Sequence, residues 1–145
     1  GPTFGNRKVL ASSGNTTMTA AMSGAVMLQD TASGEVYTLP APVVGMYFDF
    51  VVTVTATTNS HKVITDTGTT LLAGSISGGP DNAANKSWVG NGTTHIAVTQ
   101  AAASTNASGG IIGSWIRCTA VTSTLWIVSG LTIAGGTPVT PFATS

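Results

Sequence analysis

The sequence predicts an all-β protein: a single β-sandwich or jelly-roll-like domain of about eight strands, with an extended arm at each end. Short runs that alternate apolar and polar residues are separated by turns rich in Gly, Pro, Asn and Asp. No segment sustains the apolar spacing of an amphipathic helix. We therefore expect an N-terminal arm over residues 1–22, the sandwich over residues 23–133 and a C-terminal tail over residues 134–145.

The clearest predicted strand follows the prolines at positions 40 and 42. Proline cannot donate to a strand ladder, so these positions belong to the corner before the strand. A period of two places Asp49 on the outward face, where it can take part in a subunit contact rather than in catalysis. The opposite face is predicted to meet the core, and it carries Met46, Phe48, Phe50, Val52 and Val54.

The other predicted strands are short. They lie at residues 25–29, 35–39, 61–65, 69–73, 94–99, 111–120 and 125–129. The pair at 61–65 and 69–73 is expected to form a hairpin around Asp66-Thr67-Gly68. Residues 74–85 and 101–110 are rich in small and turn-forming residues and are predicted to be loops.

Charge is scarce in this chain. Charged residues make up 7% of the sequence and the formal net charge is zero, so no electrostatic footprint indicates nucleic acid or an anionic membrane as a partner. A near-neutral surface favours association. The composition therefore indicates a protein that works within an assembly.

Few residues are candidates for chemistry. Cys118 is the single cysteine, so no internal disulfide is possible, and a small buried side chain is the expected role. Metal-capable side chains are scattered without the spacing of a zinc site. We predict no cofactor and no metal. Trp115 and Trp126 lie in predicted strands, so packing in the core or between strands is expected for both.

A succession of strand and turn motifs points to a family. Its parts are Leu39-Pro40, Pro42-x-x-Gly45-x-x-Phe48-x-Phe50, His61-x-Val-Ile-Thr-Asp66, Leu72-x-Gly74, Asn91-Gly-Thr93, Gly113-x-Trp-x-x-Cys118 and Leu125-Trp-Ile-Val-x-Gly130. Over roughly residues 25–130 this succession resembles the β-domains of virion structural proteins of tailed bacteriophages, capsid decoration (cement) proteins in particular. The resemblance implies a non-enzymatic virion protein, made in the host cytoplasm. It would sit on the capsid surface as a homotrimer and bridge subunits of the major capsid protein.

Contact residues are predicted mainly in the arms. An arm can lie across a neighbour or add a strand to its sheet edge; the alternative for the same segments is fraying disorder. Trp88, in a predicted loop beside Lys86, is either an exposed anchor or packs against its own loop. The predicted interface residues are Phe4, Arg7, Lys8, Trp88, Pro141 and Phe142.

Two other functions stay open. A head-fibre or tail module would recognise a host receptor through the loops at 74–92 and 100–110. Alternatively, Val63-Ile-Thr-Asp66-Thr67-Gly68 resembles the active-site loop of aspartic peptidases. In a dimer, Asp66 would then be the catalytic carboxylate and share a proton with its counterpart. Two residues depart from that family's pattern. Thr65 stands before the aspartate, where an apolar or small residue is usual, and Ser114 follows the later apolar-apolar-Gly113 segment, where the retroviral type usually has Arg.

Overall fold

A computed structural model describes residues 6–12, 14–79, 85–102 and 106–145 of the chain. Within these residues twelve strands and one turn of 3-10 helix, Ala20–Met22, make up the regular structure. No helix among them is long and apolar enough to cross a membrane. The strands are β1 Val9–Leu10, β2 Thr16–Thr17, β3 Val26–Gln29, β4 Val36–Thr38, β5 Tyr47–Val52, β6 His61–Ile64, β7 Leu71–Gly79, β8 Lys86–Asn91, β9 Ala97–Gln100, β10 Trp115–Thr122, β11 Leu125–Ile133 and β12 Phe142–Ala143.

The strands form two sheets that enclose one core. The larger sheet has seven strands in the order β1-β3-β5-β10-β11-β7-β8, and the smaller has five in the order β12-β9-β6-β4-β2. Buried apolar side chains from both sheets form a single cluster between them, as expected for two packed layers. The predicted all-β sandwich is confirmed, with more strands than the sequence indicated.

The first six strands alternate between the two sheets. β1, β3 and β5 pair in parallel in the larger sheet, while β2, β4 and β6 pair in parallel in the smaller one. This differs from a jelly roll, whose strands are antiparallel. The hairpin expected around Asp66-Thr67-Gly68 is wrong for the same reason, because β6 and β7 belong to different sheets.

The expected terminal arms are part of the sandwich. Met18 is 2% exposed and belongs to the core, with Leu10 and Met22 packed against it. At the other end Phe142 is 5% exposed and β12 pairs with β9. Short edge strands in Gly- and Thr-rich sequence carry too few residues to show a period of two, which is why these segments looked like arms.

The predicted face of β5 is confirmed over most of its length. Phe48, Phe50 and Val52 are buried within the described residues, whereas Val54 is 38% exposed. Val54 departs from the prediction because β5 ends at Val52 and the chain bends at Val54, so the period of two no longer applies there.

Strand β7 runs through much of the segment predicted to be a loop. It continues to Gly79 and pairs in parallel with β11 along its whole length. The ideal Cβ of a residue at position 74 would lie 2.0 Å from the carbonyl oxygen of Val128, and Gly74 has φ of +128°. Glycine is needed here because the two backbones approach so closely.

Candidate binding face

Side chains on the outer face of the seven-stranded sheet form rows across neighbouring strands. In one row Trp115 on β10 stands between Val51 on β5 and Leu131 on β11. In the next row Arg117 stands between Asp49 and Ser129. Residues two apart in a strand share a face, so Trp115 and Arg117 are neighbours along β10.

Three charged side chains meet in the second row. Nε and Nη2 of Arg117 donate to Oδ1 and Oδ2 of Asp49 at 2.7 and 2.8 Å, and Nη1 of Arg7 also donates to this carboxylate. Arg7 reaches the row because its guanidinium also donates to the backbone carbonyl of Gly24, from Nη2 at 2.8 Å. Tyr47 lies beneath both guanidiniums, whose Cζ atoms are 5.5 Å (Arg7) and 5.2 Å (Arg117) from its ring centroid. The result is a cation–π and ion-pair cluster on a rigid sheet.

The electrostatics of the cluster favour the ionised carboxylate. Hydrogen bonds from Arg117, and to a smaller extent from Arg7, hold the pKa of Asp49 below its usual range, although burial acts in the opposite direction. The same carboxylate raises the pKa of Arg117. Two guanidiniums face one carboxylate, so the cluster carries one surplus positive charge.

Exposed apolar side chains surround this cluster. Trp115 is 41% exposed and lies between Val51 and Leu131 on the neighbouring strands, so of the two expected modes it shows packing between strands and not in the core. Trp126 is buried in the core. Ile127 and Leu131 on β11 are also exposed. Inward-facing neighbours such as Ile116, Trp126 and Val128 belong to the core. The outer face is therefore apolar without being part of that core.

A cavity opens on this face between the charged row and the apolar row. Its volume is about 470 Å³, within the range of about 300–1,000 Å³ that is usual for small-ligand sites. We call it the Arg–Trp pocket; it is lined by Arg7, Val26, Asp49, Val51, Trp115, Arg117 and Ser129.

Of the predicted interface residues that the structure describes, Arg7 lines this pocket. Lys8 is exposed on the same edge of the sheet, where its carbonyl accepts from the backbone N–H of Val26. Phe4 lies outside the described residues.

The other three predicted contact residues are used by the fold. Trp88 lies in β8 rather than in a loop and packs partly buried against the core, opposite Ile76. Pro141 and Phe142 are buried, and the ring of Phe142 stacks on His95 with centroids 5.6 Å apart. These residues are therefore not the exposed contacts expected, because β12 docks the tail on the smaller sheet.

The Asp66-Thr67-Gly68 segment is an exposed connection between the sheets. No hydrogen bond to the Asp66 carboxylate is present within the described residues, and Thr67 instead bonds the hydroxyls of Thr69 and Thr70 at 3.1 Å. Gly68 does not have a positive φ.

A second polar cluster is buried at one end of the sandwich. Nδ1 of His61 lies 3.2 Å from Oε1 of Glu35, and both side chains are fully buried. Nε2 of His61 is 2.8 Å from the carbonyl oxygen of Val54, so this nitrogen donates. Gln29 donates to Gln100 nearby at 2.7 Å. The cluster is closed to solvent and links the two sheets. No group of three or more metal-ligating side chains occurs in the described part of the chain.

In comparisons with known proteins, no family model matches the chain, and no match was found among curated proteins or solved structures. The relationship to phage decoration proteins therefore stays a prediction from the motifs.

Sequence reasoning missed most of the Arg–Trp pocket. Asp49 was expected on an outward face and lies there, but its partner Arg117 is 68 residues away. The sequence does contain a signal for the pair. The chain has only five basic and five acidic residues, and both Asp49 and Arg117 lie between two apolar residues of a strand, which places each of them on an outward face. Pairing them requires knowing that β5 and β10 are adjacent.

Proposed function

We propose that this protein is a non-enzymatic structural protein of a phage particle. In this proposal it decorates the capsid and bridges subunits of the major capsid protein. The observation that carries the proposal is the exposed apolar outer face of the seven-stranded sheet, including Trp115, Ile127 and Leu131. Exposed apolar patches of this kind are typical of protein–protein contact sites.

The low charge of the chain supports the same role. Apart from the Arg7–Asp49–Arg117 cluster, whose members already pair with one another, few charged side chains have to be desolvated when such a face is covered. As a homotrimer the protein would present three such faces. Weak contacts would then add through effective concentration.

Co-sedimentation tests this proposal. Under the proposal, capsids assembled from the major capsid protein of the phage that encodes this chain should bind the protein and resist heat better with it bound. Ile127→Lys should abolish co-sedimentation because it charges the apolar face, whereas Val139→Lys, at an exposed apolar residue outside the sheets, should not. Wild-type protein that neither binds nor stabilises capsids would refute the proposal.

The second candidate is a receptor-binding module of a head fibre or tail. The Arg–Trp pocket favours it, because a cavity with convergent donors beside an exposed indole suits a small polar ligand. Residues 74–79 and 86–91 are strands, so the loop expected over 74–92 is not the recognition surface in this form. In this alternative the pocket would be that surface, since the described residues of the expected loop over 100–110 do not line it. Adhesion of the isolated protein to host cells without capsids tests this alternative, and adhesion that survives blocking of the pocket would count against it.

A further inference from the structure

We propose that the Arg–Trp pocket binds a sugar that carries a carboxylate. This inference rests on the receptor-binding function and names the chemistry of its ligand. Three features of the pocket support it: exposed surplus positive charge, unused guanidinium donors and an exposed aromatic surface beside them.

The charge presented to a ligand is positive. The side chain of Asp49 is 13% exposed and both of its oxygens accept from arginine, whereas the side chain of Arg117 is 46% exposed. The negative partner is therefore covered while the positive one faces solvent. An anionic group on the ligand gains a Coulombic attraction that a neutral group does not.

Arg117 also has N–H groups that make no hydrogen bond within the described residues. Its bonds to Asp49 use Nε and Nη2, and Nη1 makes no hydrogen bond within the described residues. A guanidinium carries five N–H donors, so its outer edge can still bind a carboxylate oxygen. Asp49 holds the guanidinium in place, which reduces the entropy lost when a ligand binds.

The apolar half of the pocket suits a sugar ring. Trp115 is 41% exposed and adjoins Arg117 on the same face of β10, so a ring carrying the carboxylate can pack its C–H face on the indole. Ser129 lies directly across from Arg117 and offers a hydroxyl to the sugar. Pockets that combine aromatic walls with a few placed polar groups are typical of small-ligand sites.

A second copy of this chain fits the pocket less well. Two copies placed face to face across this pocket would bring exposed guanidiniums together, and like charges at an interface are unfavourable. A carboxylated ligand instead neutralises the surplus charge.

NMR titration tests the inference on the intact protein. D-glucuronate should shift the Trp115 indole N–H and the Arg117 Nε–H resonances, with D-glucose and acetate each binding about tenfold or more weakly. Arg117→Gln should weaken glucuronate binding about tenfold or more, because it removes the charged donors. Trp115→Ala removes an exposed side chain, so it should lose binding of the sugar without unfolding. Lys62→Gln is the matched control, because it removes the same charge from β6 in the other sheet and should leave binding unchanged.

Several outcomes would overturn the inference. Equal binding of glucuronate and glucose would show that the carboxylate is not recognised, and equal binding of glucuronate and acetate would show that the sugar ring is not. No titration by glucuronate, while capsid protein shifts the same resonances, would make the pocket a protein contact. Adhesion to host cells without binding of any carboxylated sugar would refute this inference and leave the receptor-binding function standing.

Discussion

Arg117 holds Asp49 with two parallel hydrogen bonds across adjacent strands, from Nε to Oδ1 at 2.7 Å and from Nη2 to Oδ2 at 2.8 Å. Arg7 adds a third bond from the N-terminal segment. The cluster thus ties β5, β10 and the chain before β1 together on the surface where the pocket opens. Mutation of Asp49 tests what the cluster contributes to stability, whereas mutation of Arg117 or Trp115 tests what the pocket contributes to binding.

Asp49→Asn should lower the free energy of unfolding by about 1 kcal/mol near neutral pH, since the pair is partly exposed and screened. The native pKa of Asp49 is lowered, so its contribution is present above the unfolded pKa of about 3.9 and is lost as pH falls through the native value. Denaturant unfolding of wild type and variant should therefore converge in acid. Asp66→Asn, at an exposed turn, is the control and should match wild type throughout. A constant difference between wild type and Asp49→Asn at all pH values would contradict the ion-pair explanation.

Gly74→Ala should destabilise the protein by about 2 kcal/mol or more. Its Cβ would lie 2.0 Å from the carbonyl oxygen of Val128, and the φ of +128° is unfavourable for alanine. Chemical denaturation measures the loss. Gly68→Ala is the matched control, because its Cβ would meet nothing within 4 Å and its φ is not positive; it should be neutral or slightly stabilising. Equal stability of the two variants would argue against the close pairing of β7 and β11.

The same strand shows why part of the fold could not be predicted. Residues 74–79 are mostly Gly and Ser, and local propensity assigns such sequence to a loop. They form a strand because they pair in parallel with β11, whose backbone approaches them closely. β11 lies more than fifty residues further along the chain, so local sequence does not reveal this pairing. By contrast, the period of two in β5 is local, and it placed Phe48, Phe50 and Asp49 on their correct faces.

The candidate site was predictable in part for a related reason. An outward Asp49 follows from strand alternation alone, and alternation likewise puts Trp115 on the face of Arg117, opposite Ile116 and Cys118. What local pattern does not contain is which strands are neighbours. The pairing of β5 with β10 brings Asp49 to Arg117 and builds the pocket, and the two strands lie more than sixty residues apart in sequence.

Phe142→Ala should destabilise the protein by about 3 kcal/mol, because a buried aromatic ring that stacks on His95 is removed. Thermal or denaturant unfolding provides the measurement. Val139→Ala, at a residue that is 49% exposed in the same C-terminal segment, should change stability by no more than about 0.5 kcal/mol. If Phe142→Ala were as stable as wild type, the C-terminal segment would be a loose arm, as the sequence first indicated.

Cys118 should be unreactive in the native protein. It is fully buried in the core, and burial raises the pKa of its thiol. The thiolate is the reactive form, so Ellman's reagent at about pH 8 should label the native protein only at the rate of unfolding. Full labelling is expected in denaturant. Because no other cysteine is present, the signal reports this residue alone, and rapid labelling without denaturant would place Cys118 at the surface.

Glu35→Ala and His61→Ala should each destabilise the fold by about 3 kcal/mol, because each leaves the other member of a buried pair without its partner. The double variant should cost less than the sum of the two, with a coupling energy of about 1–3 kcal/mol in a double-mutant cycle. Ser60→Ala, next to His61 but only partly buried, serves as a control for local disruption. Additive losses would show that the 3.2 Å contact between Nδ1 and Oε1 contributes nothing. Strong coupling would show that His61 on β6 and Glu35 in the turn before β4 stabilise each other. Neighbouring strands of the smaller sheet would then be linked through side chains as well as through their parallel backbone hydrogen bonds.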